Sequence, residues 1–323
     1  MKWYVARRLA WTFVATVLVL SATFGLMAAS PDPQASAYLA QQVQSGGDFA
    51  DAEASYERAR GLDRPLWVQY REYMVGMATL DWGWSETRSQ PVTAAIAQAL
   101  PYSLMYAVPA LVVSTVVGVA IGLYSAVNRN STGDYAASSF AFFGISVPDF
   151  WFGILLILVF GVWLGWIPVY YHSDVPWLSL ENARQLVAPT FVVALSSLAS
   201  EMRFARATAL EYVNAEFVKT AKAKGASGWR RVTRHVFRPA LVPLSTILVG
   251  DILNILLVSS YLVEVVFGIP GLGQLSYRAM LQQDVALVLA TVLVPTFVAL
   301  VGTLCQDIAY TMLDPRIDYG ERP

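Results

Sequence analysis

The chain has 323 residues, of which 56% are hydrophobic and 14% charged, with a formal net charge of −1. Soluble domains carry about 25% charged residues; a shortfall of this size over so long a chain excludes an ordinary water-soluble protein and demands a large lipid-facing surface. The single cysteine, Cys305, excludes an internal disulfide, and the only two histidines, His172 and His235, are too far apart for a local zinc-ligand spacing, so no metal site is expected.

A helix needs roughly 20 apolar residues to cross the hydrocarbon core, and six windows reach that length. The first, about Leu9 to Ala29, follows Lys2, Arg7 and Arg8. A secretory signal peptide shares that layout, but the apolar stretch is longer than the usual signal core, which favours an uncleaved helix. The segment from Pro31 to Gln98 holds five arginines against nine acids. Its second half, from Gly61 to Trp84, is rich in Trp, Tyr, Leu and Met and is expected to fold as a small cap on the outer face.

The second window runs from about Tyr102 to Val127 and contains Gly118-x-x-x-Gly122, a spacing that lets helices approach closely. The third, about Tyr135 to Trp166, contains Gly161-x-x-x-Gly165 and is interrupted by Pro148, which removes a helical hydrogen bond and clashes with the preceding turn. It is too short for two crossings and is read as one interrupted span. The fourth window runs from about Val187 to Ala207, the fifth from about Leu244 to Val266 and the sixth from about Val285 to Met312.

Basic residues set the orientation. Nine arginines and lysines between Arg203 and Arg238 face only Glu211 and Glu216, and the N-terminus adds Lys2, Arg7 and Arg8. Both regions are expected in the cytoplasm, with Pro31 to Gln98 outside. Six crossings then place the C-terminus inside as well. The expected fold is an all-α integral membrane protein with six transmembrane helices and a small external segment after the first.

Between the fourth and fifth windows lies the most informative stretch. Glu216 to Lys224 is built of strong helix formers, with an acid at its start and lysines at its end, matching the helix dipole. Gly225 stands where a left-handed cap belongs. A second short helix is expected from about Gly228 to Phe237, ending at Pro239. Phe217, Thr220, Ala221 and Lys224 share a face that suits a groove in another protein; a solvated basic helix beside anionic headgroups is the competing reading.

No phosphate loop, nucleophile elbow or zinc-protease motif occurs, so ATP chemistry and hydrolysis are not expected of this chain. Ionisable residues inside spans face water-filled cavities or partners. Asp251 and Asn254, three residues apart in the fifth window, are the pathway candidates. Asp149 and Glu264 lie nearer the outer ends, where capping or anchoring is the alternative.

Taken together, the motifs resemble one family. Lys219-Thr220-Ala221-Lys222-Ala223-Lys224-Gly225, with Glu216 ahead and His235 to Pro243 behind, resembles the coupling loop of ABC-importer permeases of the dipeptide, oligopeptide and nickel branch. The likeness extends to Gly61 to Tyr70, Asp81 to Ser85, Ser146 to Trp151 around Pro148, Arg203-x-x-Arg206, Leu210-Glu211, Glu264 to Gly273 with Pro270 and Gly271, and Leu313 to Ile317. Lys219 and Thr220 stand where the wider family has Glu-Ala, and Pro239 and Asp251 depart from the branch pattern.

The resemblance implies a type I importer permease fold. It also implies a second homologous permease, two ATP-binding-cassette subunits that bind ATP and Mg, an external solute-binding protein, membrane lipid and no nucleic-acid partner. It implies a multi-pass protein of the cell membrane whose cargo is di- or oligopeptide, with nickel or another small solute as the alternative and a self-sufficient secondary transporter as the distant one. The domain division that follows is 1–91 for the first helix and cap, 92–313 for the permease domain with its coupling loop at 208–243, and 314–323 for a cytoplasmic tail.

Overall fold

The computed structural model describes residues 2–29, 33–255 and 260–313, and the tail beyond Leu313 lies outside the described residues. Helix α1 (Lys2–Ala29) is a long apolar rod. The segment after it is folded, as its aromatic content predicted. It forms α2 (Pro33–Gln44), α3 (Phe49–Arg60), α4 (Leu66–Thr79) and an antiparallel pair of two-residue strands, β1 (Trp84–Ser85) and β2 (Gln90–Pro91). Asp48 caps α3 by accepting from the amides of Ala50 and Asp51, and Gly61 ends it in the left-handed conformation at φ 68°. Helix α4 lies on α1 through Phe24, whose ring sits 5.4 Å from that of Tyr70, and through a 2.7 Å hydrogen bond between the Ser21 and Tyr70 hydroxyls.

Helix α5 (Val92–Val127) has 36 residues, a length of about 54 Å at 1.5 Å per residue. That exceeds the roughly 30 Å hydrocarbon core, and its first turns pack instead on the polar-ended C-terminal region described below. The third window is two helices, α6 (Thr132–Ser146) and α7 (Asp149–Leu156), the latter continued by a π-helical stretch from Ile157 to Trp163. They meet at 99° across Val147 and Pro148. The sequence reading of a single interrupted span is thus resolved as a sharply broken pair: Pro148 drives its predecessor out of the helical region, and Val147 is extended at ψ 124°.

Helix α8 (Leu180–Val213) starts at Ser179, whose side chain accepts from the Asn182 amide, and runs parallel to its main neighbour α5, so that Met105 meets Asn182 near one end and Ala126 clusters with Ala209 near the other. Glycine is required along this contact. A Cβ on Gly118 would lie 2.8 Å from Glu201 Cβ, and one on Gly122 would lie 2.6 Å from the Met202 carbonyl oxygen. The Gly118-x-x-x-Gly122 pattern is therefore a true helix-packing seam. Gly161 and Gly165 are not: Gly161 meets nothing closer than 3.5 Å, and Gly165 turns the chain at φ 62°.

The chain continues through α9 (Glu216–Ala223) and α10 (Gly228–Arg230), then a π-helical stretch from Arg231 to Phe237 that runs straight into α11 (Arg238–Asn254). Pro239 was expected to end a short helix. It falls instead in the first turn of α11, where the missing N–H is tolerated because the change from π to α spacing already frees carbonyls there. The fifth window is divided between α11 and α12 (Ser260–Phe267), with residues 256–259 outside the description. Helix α13 (Leu272–Leu281) follows, a ten-residue element too short for any hydropathy window. Helix α14 (Val285–Leu313) closes the fold and lies beside α1, where Arg8 pairs with Asp307 at 3.0 Å.

Among the described residues, four helices are long and apolar enough to cross a membrane, and five if the bent pair α6–α7 counts as one. A core of Val92, Ile96, Leu272, Leu275 and Leu287 joins the start of α5 to α13 and α14.

Candidate functional site

Helix α9 is two-faced. Val218 is buried against Ala126 at the end of α5, Ala209 on α8 and Val236 on the π-helical stretch. Ala221, three residues on, is buried on the same side. This corrects the sequence reading of the outward face: Ala221 is turned inward, because residues three apart share a helix side and Val218 fixes which side that is. Glu216, Phe217, Lys219, Thr220, Lys222, Ala223 and Lys224 are exposed, and Lys219 Nζ reaches Glu216 Oε1 at 2.7 Å. Gly225 has φ 79°, as its position after the helix predicted. The Ala226 amide donates to the Ala221 carbonyl and the Gly225 amide to that of Lys222, a Schellman closure that ends α9 sharply. His235 is half-buried in the stretch that packs beside α9.

One turn back along α8, Arg206 donates through Nε to Asp134 Oδ1 at 2.7 Å and through Nη2 to Oδ2 at 2.8 Å. Asp134 is 2% exposed, and its Oδ2 also accepts from the Asn130 amide at 2.9 Å. This fork fastens the start of α6 to α8. The string Arg203-x-x-Arg206 was visible in the sequence, but its acidic partner was not.

Glu264 is fully buried and anchors the motif that follows it. Its Oε1 accepts from Ser103 Oγ at 2.6 Å and Tyr106 Oη at 2.8 Å, and its Oε2 accepts from the Gln274 amide at 3.0 Å. Ser103 Oγ in turn accepts from the Leu272 amide at 2.8 Å. A Cβ on Gly271 would lie 2.4 Å from Glu264 Oε1, which is why no other residue fits there. Pro270 leads into this turn and Gly273 lies buried in the first turn of α13. Glu264 is thus a structural hub joining α5, α12 and α13. Pro148 likewise acts through backbone shape, at the α6–α7 break.

Asp251 is 7% exposed on α11, and the sequence reading missed its neighbour: Glu201 of α8, 1% exposed. The two carboxyls stand within side-chain hydrogen-bonding reach of each other. Glu201 Oε1 accepts only a long 3.4 Å bond from Thr115, and Glu201 Oε2 and Asp251 Oδ2 lack a well-formed partner. The signal was available, since Glu201 is the one acid inside the fourth apolar window. The side chain of Asn254 lies outside the described residues.

Residues 118–319 match the family described as the inner membrane component of binding-protein-dependent transport systems. The chain belongs to this family. It is similar over nearly its whole length to a Brucella suis protein carrying a provisional peptide-permease name, at 34% identity over 98% of both chains. It is 32% identical to the oligopeptide transport system permease OppB of Haemophilus influenzae and 31% to the oligopeptide permease AppB of Bacillus subtilis, over 98% of this chain and 99% of each relative. As a binding-protein-dependent transport component it is a membrane permease, not an enzyme. The family match begins at Gly118, the first glycine of the α5–α8 seam, and takes in the Arg206 fork, α9, Asp251 and Glu264.

Proposed function

We propose that this permease forms half of the translocation pathway of an ATP-driven peptide importer, and that α9 with its flanks, residues 208–243, is the element through which ATP hydrolysis on partner subunits moves the spans. The observation that carries the reading is the division of α9. One side is cemented to α5, α8 and the root of α11, and the other presents an aromatic ring, an acid and three lysines to solvent with a sharp glycine stop. A surface of that chemistry suits a cleft in a protein partner.

On this reading the partners are a second homologous permease, two ATP-binding-cassette subunits carrying ATP and Mg, and an external binding protein that delivers cargo. The excess of Arg and Lys from Arg203 to Arg238 supports a cytoplasmic loop and cytoplasmic termini. The peptide-transport names of relatives that match end to end support the cargo class.

Two measurements test the reading. Membrane-impermeant labelling of Lys222 should succeed only from the cytoplasmic side; labelling from outside would remove the coupling role. Vesicles holding the complete transporter should accumulate peptide only with ATP and the binding protein present. Uptake driven by an ion gradient in their absence, or uptake of nickel and not peptide, would replace this reading.

A further inference from the structure

A cavity of about 710 Å³ opens between α5, α8, the π-helical stretch and α11. Its walls are mostly apolar, with Val119, Phe237, Leu244 and Leu248 among them, and Thr115 and Glu201 bring oxygen to it. Glu201 is almost wholly buried yet has an oxygen without a well-formed hydrogen bond, and Asp251, next to it, has another. Among the described residues no arginine, lysine or histidine pairs with either carboxyl. Two adjacent acids with no counter-charge are costly inside an apolar bundle. Two other buried acids among the described residues are well satisfied: Asp134 has an arginine fork, and Glu264 has two hydroxyls and an amide.

We propose that the Glu201–Asp251 pair receives the ammonium group of the cargo as it passes the middle of the membrane. An ammonium carries three donors and one compact positive charge, which suits two carboxyl oxygens whose remaining neighbour is each other. The apolar walls beside it would accept side chains of any shape without selecting among them. A free amino terminus is the feature that peptides of different sequence share, so a site of this kind recognises the class and not the sequence. This inference rests on the peptide-importer reading.

The test uses vesicles holding the complete transporter with its binding protein. Uptake of a short apolar peptide is compared with uptake of its N-acetylated form, each at a concentration that saturates the binding protein. The wild type should prefer the free amine, and Glu201→Gln with Asp251→Asn should reduce that preference at least fivefold. An unchanged preference, or an equal loss for both peptides, overturns the inference and leaves the importer reading standing. Dependence of wild-type uptake on sodium that vanishes in Glu201→Gln overturns it too, assigning the pair to an inorganic cation.

A second measurement leaves the pair intact in case the variants do not assemble. With Cys305→Ser and Thr233→Cys, which puts a thiol on the cavity wall, free-amine peptide should slow maleimide labelling more than acetylated peptide does. Equal protection by both, or none, overturns the inference. A wild-type complex that takes up neither peptide takes the importer reading down with it.

Discussion

Arg206 holds Asp134 by two parallel hydrogen bonds of 2.7 and 2.8 Å, joining residues 72 apart in the chain. Asp134 is buried and Arg206 partly reachable by solvent, so the pair lies between the surface and interior cases. Removing one partner from a fully buried pair costs about 3–5 kcal/mol. Asp134→Asn should therefore cost roughly 2 to 3 kcal/mol, less than the fully buried limit, and lower the melting temperature of the detergent-solubilised protein. Arg206→Lys should fall between, because lysine keeps the charge but not the fork. Equal melting temperatures for Arg206→Lys and the wild type would show that the fork geometry contributes nothing.

Gly122→Val should separate α5 from α8. The added Cβ would sit 2.6 Å from the Met202 carbonyl oxygen and 2.7 Å from Ala205 Cβ, both on a rigid helix. Overpacking costs about 1–3 kcal/mol and sometimes more, and Gly122→Ala already places that first atom. Thermal denaturation should rank wild type above Gly122→Ala above Gly122→Val. The same substitutions at Gly165, where a Cβ would meet nothing within 4 Å, should act only through the φ of 62°.

Gly225→Val should uncouple transport. A residue with a Cβ pays about 1–2 kcal/mol in the left-handed region, and a β-branched one suffers most, so the Schellman closure would open and α9 would lose its sharp end. In vesicles of the complete transporter, ATP hydrolysis should persist while peptide uptake falls severalfold, with Gly225→Ala milder. Normal uptake in Gly225→Val would count heavily against α9 as the coupling element.

Asp284→Ala should release the segment between α1 and α5. Asp284 is 1% exposed and does two things at once: its Oδ1 accepts from the Leu287 amide at the start of α14, and its Oδ2 accepts from Ser85 Oγ at 2.6 Å and Thr87 Oγ1 at 2.8 Å. Losing a cap costs about 0.5–2 kcal/mol, and a buried hydroxyl left unpaired costs about 1–3 kcal/mol more. Limited proteolysis should cut the region around residues 84–91 faster in the variant. Identical cleavage rates would show that the strand pair is held by other contacts.

What the sequence made legible was local. Gly225 was readable because only a left-handed position follows a helix so abruptly, and Pro148 because proline excludes helix at its predecessor. The 99° angle at that break was not readable, since it depends on what α6 and α7 pack against. Ala221 was placed on the wrong side because its periodicity fits both faces of a two-turn helix, and only the distant Ala126, Ala209 and Val236 decide between them. Glu201 and Asp251 lie 50 positions apart on different helices, so each appeared as a lone acid. Asp284 and Ser103 gave no signal at all, being ordinary polar residues whose partners are long-range.

The burial of Val218 among Ala126, Ala209 and Val236 has a mechanical consequence. Any load applied to the exposed side of α9 is delivered at one knot to the ends of two long rods and the root of a third. Because glycines 118 and 122 hold the two rods in close contact over about one turn, sliding past each other under that load is opposed. The stroke must emerge as a common tilt, with its displacement growing toward the opposite end of the bundle.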